Sequence, residues 1–204
     1  MVITLKVLVT GFEPFGKEKI NPSWEALRKL PDEISGAKII KKQLPVTFKG
    51  VKALLPELIV EMEPDIVILT GQAGGRPNIA VERVAINVMD STREDNEGYK
   101  PEDEPIFEDA PAAYFATIPI KRIVKALRSE RIPAMVSNSA GTYVCNTAMF
   151  TALHTIAIRN LSVKAGFIHV PYAHEQVLEK AVPSMSLRTI KKALEVSIQA
   201  SLGL

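Results

Sequence analysis

The sequence predicts an α/β fold in which one twisted parallel or mixed sheet is covered by helices on both faces. Three observations carry that expectation. Strand-like and helix-like segments alternate along the chain. The strand-like segments, such as Asp65-Ile-Val-Ile-Leu-Thr-Gly71, are nearly continuous apolar runs, as strands buried on both faces are. The length, 204 residues, suits a single domain over residues 1–204 with a complete core.

The first expected strand is Ile3–Thr10, apolar and β-branched. A short helix follows over Pro22–Leu30, with Asn21 as N-cap and Pro22 at the first helical position. Lys38–Val46 reads as a strand. Lys49–Glu63 carries a helical stripe of Val51, Leu54, Leu55, Leu58, Ile59 and Met62, with a kink or interruption expected at Pro56. Asp65–Gly71 is a central strand ending in a glycine turn. Ile79–Met89 is β-prone without clean alternation. Asp90–Ala110 is polar, acidic and proline-rich, and about 20 residues without periodicity mark a functional loop, lid or contact segment. Pro119–Glu130 reads as a helix, Ile132–Ser137 as a strand, Asn146–Ile158 as an apolar helix and Lys164–Val170 as a strand. Ser186–Leu202 is an amphipathic helix with Leu187, Ile190, Leu194, Ile198 and Leu202 on one face. Right-handed crossovers place strand carboxyl ends along one edge. The turns at Thr10-Gly11, Leu69–Gly71, Ser137-Asn138 and His169-Val170 are therefore expected to converge.

Net charge is +2, without a block of like charges, and 24% of residues are charged, so neither nucleic acid nor an anionic membrane is expected as a partner. No apolar run approaches the roughly 20 residues of a membrane span. Met1–Thr10 lacks the architecture of a signal peptide. The one cysteine, Cys145, excludes an intramolecular disulfide and fits a reducing, cytoplasmic setting.

Cys145 follows the polar turn Ser137-Asn138-Ser139 and falls where a helix should begin, so the helix dipole favours its thiolate. The plain alternative is a small core residue. His169, at a strand end before Pro171, supplies an imidazole, with a structural histidine as the alternative. Glu82 interrupts an apolar run; a buried carboxylate needs a partner, and an imidazole-orienting role stands beside a salt bridge or a surface-facing position. His174-Glu175 does not extend to a zinc motif because Leu178 stands at the second histidine's place, so no metal is expected. Thr10-Gly-Phe-Glu-Pro-Phe-Gly16 lacks the glycine spacing of a dinucleotide loop, so no nicotinamide cofactor is expected and Phe12 and Phe15 are left as pocket walls or core.

Taken together, the chain resembles the pyroglutamyl-peptidase I (pyrrolidone carboxyl peptidase) family. The resemblance rests on Val9–Gly16 with Asn21-Pro22, Leu44-Pro45-Val46, Gly71–Arg76, Glu82–Asn87, Asp95–Gly98, Ser137–Asn146 and Phe167–Tyr172, in order and spacing. It implies a three-layer α/β/α sandwich related to nucleoside phosphorylases and removal of N-terminal pyroglutamate from peptides. It also implies no cofactor and a homotetramer. By the same resemblance Cys145 is the nucleophile, His169 the base and acid, Glu82 its orienting group, and Phe12 and Phe15 hold the lactam ring. An uncharged lactam needs apolar walls and a few polar contacts, for which Asn21 and Gln72 are candidates. One departure is visible. Where the family carries arginine two residues after the aspartate matching Asp90, this chain has Thr92; if that arginine helps form the oxyanion site, either Arg93 reaches it through a shifted loop or the contact is lost. The rival readings are a phosphorylase-like transferase, for which no phosphate site is evident, and a non-enzymatic peptide-binding protein.

Overall fold

The computed structural model describes residues 4–204; Ile3, the first residue of the first expected strand, lies outside the described residues. In chain order the elements are β1 (Lys6–Phe12), α1 (Pro22–Leu27), β2 (Glu33–Ile34), β3 (Ala37–Leu44), α2 (Phe48–Met62), β4 (Ile66–Gln72), β5 (Ile79–Glu82), β6 (Val84–Ile86) and β7 (Ala113–Phe115). They continue as α3 (Ile120–Ser129), β8 (Ala134–Ser137), α4 (Val144–Ile158), β9 (Lys164–Val170), β10 (Tyr172–Ala173), β11 (Ser184–Met185) and α5 (Leu187–Leu202).

The main sheet has the order β2-β3-β1-β4-β9-β5-β8. Strands β3, β1, β4 and β9 are mutually parallel. β5 enters antiparallel to β9, and β8 is parallel to β5, so the sheet is mixed. Apolar side chains divide between two cores. Val7, Val9, Ile66 and Ile68 pack with α1, α3 and α5; Leu8, Val67, Leu69 and Phe167 pack with α2 and α4. The result is the three-layer α/β/α sandwich expected from the sequence.

Four local differences have clear causes. The run Ile79–Met89 lacks clean alternation because the chain leaves the main sheet at Arg83; β6 pairs instead with β7, a strand not anticipated. Helix α2 continues through Pro56, since Val51, Leu55, Leu58 and Ile59 are buried on either side of it and hold both halves in the core. The Asp90–Ala110 segment has only a single bridge, Met89 to Glu104, yet it is pinned. The buried Asp95 carboxylate accepts the backbone N–H groups of Phe48, Glu97 and Tyr99 at 2.9–3.0 Å. Finally, β8 runs opposite to β9, so its carboxyl end does not share the edge of β1, β4 and β9; residues 138–143 bring the chain back to the cleft.

Candidate active site

Period-two alternation decides which face of the sheet carries chemistry. In β9, Ile168 and Val170 face the α1, α3 and α5 layer and Phe167 faces α4, which sends His169 to the α4 side. In β5, Ile79 and Val81 face the first layer, so Glu82 projects toward α4 as well. Gly71, at the end of β4, pairs with His169 in the register. Cys145 arrives from the same side as the second residue of α4, two positions further into the helix than expected, because the helix begins at Val144 and not at Asn146.

Glu82 is 0% exposed. Its Oε1 accepts hydrogen bonds from His169 Nδ1 at 2.8 Å and from Arg76 Nη1 at 3.0 Å. A carboxylate only accepts, so Nδ1 donates a ring proton to it and Nε2 is the ring nitrogen left for proton exchange. Glu82 Oε2 is buried without a partner among the described residues. Arg76 is a site residue not picked out from the sequence. The available signal was the carboxylate itself: a charge set in an apolar strand requires a cation, and Arg76 lies in the glycine turn just before that strand.

Gly71 makes the approach of the thiol possible. A Cβ built there would stand 2.9 Å from Cys145 Sγ and 2.8 Å from Phe167 Cζ. Burial pushes the Cys145 thiol up from an ordinary 9.0 to about 12; Glu82 adds to the rise and Arg76 opposes it. Loss of hydration thus works against the helix start, which favours the thiolate. The first turn of α4 has no capping side chain, whereas α1, α2 and α5 are capped by Asn21, Thr47 and Ser186. Its leading N–H groups are thus free to meet a ligand.

Two cavities meet at Cys145. A broad one of about 500 Å³ includes Lys17, Arg76, Thr92, Arg93, His169 and Tyr172 in its wall. A narrow one of about 40 Å³ is walled by Phe12, Phe15, Val46, Tyr143 and Val144, with Asn21 and Gln72 as its polar members. Phe15, Gln72, Tyr143 and Cys145 line both. The candidate site residues Phe12, Phe15, Asn21, Gln72, Arg93, Cys145 and His169 therefore all line this cleft, and Glu82 stands behind His169.

Their roles differ in detail. Asn21 is largely occupied: Oδ1 accepts from Ser23 N and Ser23 Oγ at 3.1 and 2.8 Å, and Nδ2 donates to Glu13 O at 3.0 Å. Tyr143, not singled out beforehand, packs edge-on against Phe48 and donates its hydroxyl to Glu94 O. Asn146 is a fully buried clamp. It accepts from Ile86 N and donates to Ile86 O and Val88 O, fastening β6 to α4. His154 bonds to Tyr114 and His174 to Ser184. Among the described residues no group of three or more His, Cys, Asp or Glu side chains is placed to hold a metal ion. Nor is any helix among them long and apolar enough to cross a membrane.

A thiol, an imidazole and a buried carboxylate gathered at one cleft of an α/β/α sandwich define a cysteine hydrolase. The chain belongs to the pyroglutamyl peptidase family, whose model matches residues 5–203. It is 74% identical over 198 residues to a pyrrolidone-carboxylate peptidase of Thermococcus onnurineus, covering 97% of this chain and 99% of that one. It is 73% identical over 195 residues to that of Thermococcus kodakarensis, covering 96% and 95%. Among solved structures, pyroglutamyl peptidase I from Bacillus amyloliquefaciens superposes with a TM-score of 0.96 at 45% identity, covering 99% of this chain and 97% of that one. These matches leave the phosphorylase-like reading without support.

Proposed function

We propose that Cys145, His169 and Glu82 carry out the family's reaction, hydrolysis of the amide bond after an N-terminal pyroglutamyl residue of a peptide. The observation that supports this most directly is the position of Cys145. The thiol stands between a narrow aromatic-walled cavity suited to a small uncharged ring and a broad cavity open to the rest of a peptide.

The lactam ring enters the narrow cavity between Phe12 and Phe15, with Gln72, and Asn21 through its remaining N–H, as polar contacts. Because the thiol rests protonated, His169 Nε2 takes its proton as Sγ bonds to the pyroglutamyl carbonyl carbon. The first-turn N–H groups of α4, with Arg93 on the cavity wall, face the developing oxyanion. His169 then protonates the amine as the C–N bond breaks, leaving a thioester. Water attacks that thioester, gives its proton to His169, and releases pyroglutamate with the thiol restored. Glu82 holds the imidazole in the required tautomer and Arg76 holds Glu82.

Residues 1–204 then form one peptidase domain working without a cofactor, and its single free thiol suits a reducing cytoplasm. Exposed Phe115, Ile158 and Leu178 fit burial between copies in a homotetramer, which light scattering of the purified protein measures. The decisive assay is release of aminomethylcoumarin from its pyroglutamyl amide by the wild type and Cys145→Ser in parallel. Turnover by the wild type and its loss in the variant are expected; full activity in Cys145→Ser defeats the assignment.

A further inference from the structure

Behind the narrow cavity, three segments distant in sequence meet at one side chain, Gln176. It is 9% exposed and ends a single turn of 3-10 helix, His174–Gln176. Its Oε1 accepts the backbone N–H of Ala173 at 2.9 Å. Its Nε2 reaches Gln72 Oε1 at 2.9 Å, Glu18 Oε2 at 3.0 Å and Ile20 O at 3.3 Å. A backbone N–H only donates and a backbone carbonyl only accepts, so these two neighbours fix which end of the Gln176 carboxamide is oxygen. Glu18 reinforces the choice. Its second oxygen, Oε1, is held by Lys180 Nζ at 2.9 Å, so both oxygens are engaged as acceptors.

The consequence falls on Gln72. Facing the N–H₂ of Gln176, Gln72 must present its oxygen there, which leaves its own N–H₂ pointing away. Gln72 lines both cavities at Cys145. Were its amide to flip, oxygen would face nitrogen no longer, and two N–H₂ groups would oppose each other in a buried site.

We propose that Gln176 is a positioning residue that fixes the polarity of the Gln72 carboxamide, so that the acyl pocket offers an N–H donor and selects a ring bearing a carbonyl oxygen. The inference deepens the proposed function and rests on that reading. A pyroglutamyl ring supplies the acceptor. A five-membered ring without the oxo group, of the same shape, leaves the Gln72 donor desolvated and unpaired, which is the stronger form of discrimination. The aromatic walls alone hold both rings alike.

The test compares two substrates, the pyroglutamyl and the cyclopentanecarbonyl amides of aminomethylcoumarin, on wild type, Gln176→Met, Gln176→Glu, Gln72→Met and Gln72→Met/Gln176→Met. In Gln176→Met the ratio of kcat/KM for the two substrates should fall about 10- to 100-fold, through a raised KM for the pyroglutamyl amide with a smaller change in kcat. Gln176→Glu keeps the shape but cannot donate to Gln72, and should lower the ratio likewise. The double variant should be no less selective than Gln72→Met, because both changes remove one and the same donor. A ratio within about twofold of wild type in whichever Gln176 variant folds, or losses that add in the double variant, overturns the proposal. Failure of the wild type to cleave the pyroglutamyl amide at all instead defeats the reading on which it rests.

Discussion

His169 Nδ1 lies 2.8 Å from Glu82 Oε1, and that carboxylate is sealed from solvent at a position where, among the described residues, His169 and Arg76 reach it. Two strands that run antiparallel bring these residues together from 87 positions apart, through the pairing of Ala80 with His169. A buried carboxylate with one oxygen shared between an imidazole and a guanidinium sets a tautomer as much as it adds stability.

The first prediction concerns that tautomer. Glu82→Gln keeps the volume but can present an N–H to Nδ1, which moves the ring proton to Nε2 and removes the base. By analogy with other orienting carboxylates, kcat for pyroglutamyl-aminomethylcoumarin should fall about 10²- to 10⁴-fold. KM should change little, because the acyl cavity does not include Glu82. Steady-state kinetics on the variant decides it; a kcat within threefold of wild type removes Glu82 from the mechanism.

Arg76→Met tests the second partner. Its loss leaves the Glu82 charge with His169 alone and removes the cation that counteracts the rise in the Cys145 thiol. Alkylation of Cys145 at neutral pH should slow, kcat should drop, and thermal unfolding should occur at lower temperature. The stability loss should fall below the range of a fully buried pair broken on one side, because Arg76 is partly exposed. Faster alkylation in this variant contradicts the arrangement.

The thiol itself makes a prediction in pH. Burial first, and then Glu82, hold Cys145 protonated until about pH 12, against an ordinary 9.0. In the window between those values the folded state keeps a proton that the unfolded state has released. Stability must therefore be fully present below about pH 9 and decline as pH rises toward 12. Denaturant titrations across that window should show a steeper alkaline decline in wild type than in Cys145→Ser. Iodoacetamide reaction of the free enzyme should likewise keep rising above pH 9 instead of levelling near neutrality. Parallel stability profiles for the two proteins reject the claim.

Much of this was legible in the sequence, for physical reasons that are themselves local. The strands announced themselves as apolar runs, and Glu82 stood out because a charge in such a run needs an explanation. Cys145 stood out because the chain has no other thiol. Pairings across the fold were less visible. Nothing in one dimension says that Arg76 closes on Glu82, or that Asn146 spends its carboxamide on β6 instead of on the cleft. The antiparallel entry of β5 was hidden for the same reason, since strand direction depends on where the preceding turn leads. The elevated thiol was missed because a helix start can be read from sequence whereas desolvation cannot.

The last prediction isolates a position with no chemistry of its own. Gly71 is the last residue but one of the strand that pairs with β9, and its missing side chain is what allows Cys145 Sγ and the Phe167 ring to share the space above it. In Gly71→Ala the new Cβ would lie within 3 Å of both, a contact neither backbone strand can relieve by moving. Phe167 is buried and packed beside His169, with ring centroids 4.6 Å apart, so the freer group is the thiol. Displacing Sγ by even about 1 Å from its line of attack should cost on the order of 10² in kcat. KM and the competitive inhibition constant of 2-pyrrolidone should change far less if the ring still enters between Phe12 and Phe15. A Gly71→Ala enzyme that folds and turns over at the wild-type rate shows that the thiol has room elsewhere, and that its position here is not the reactive one.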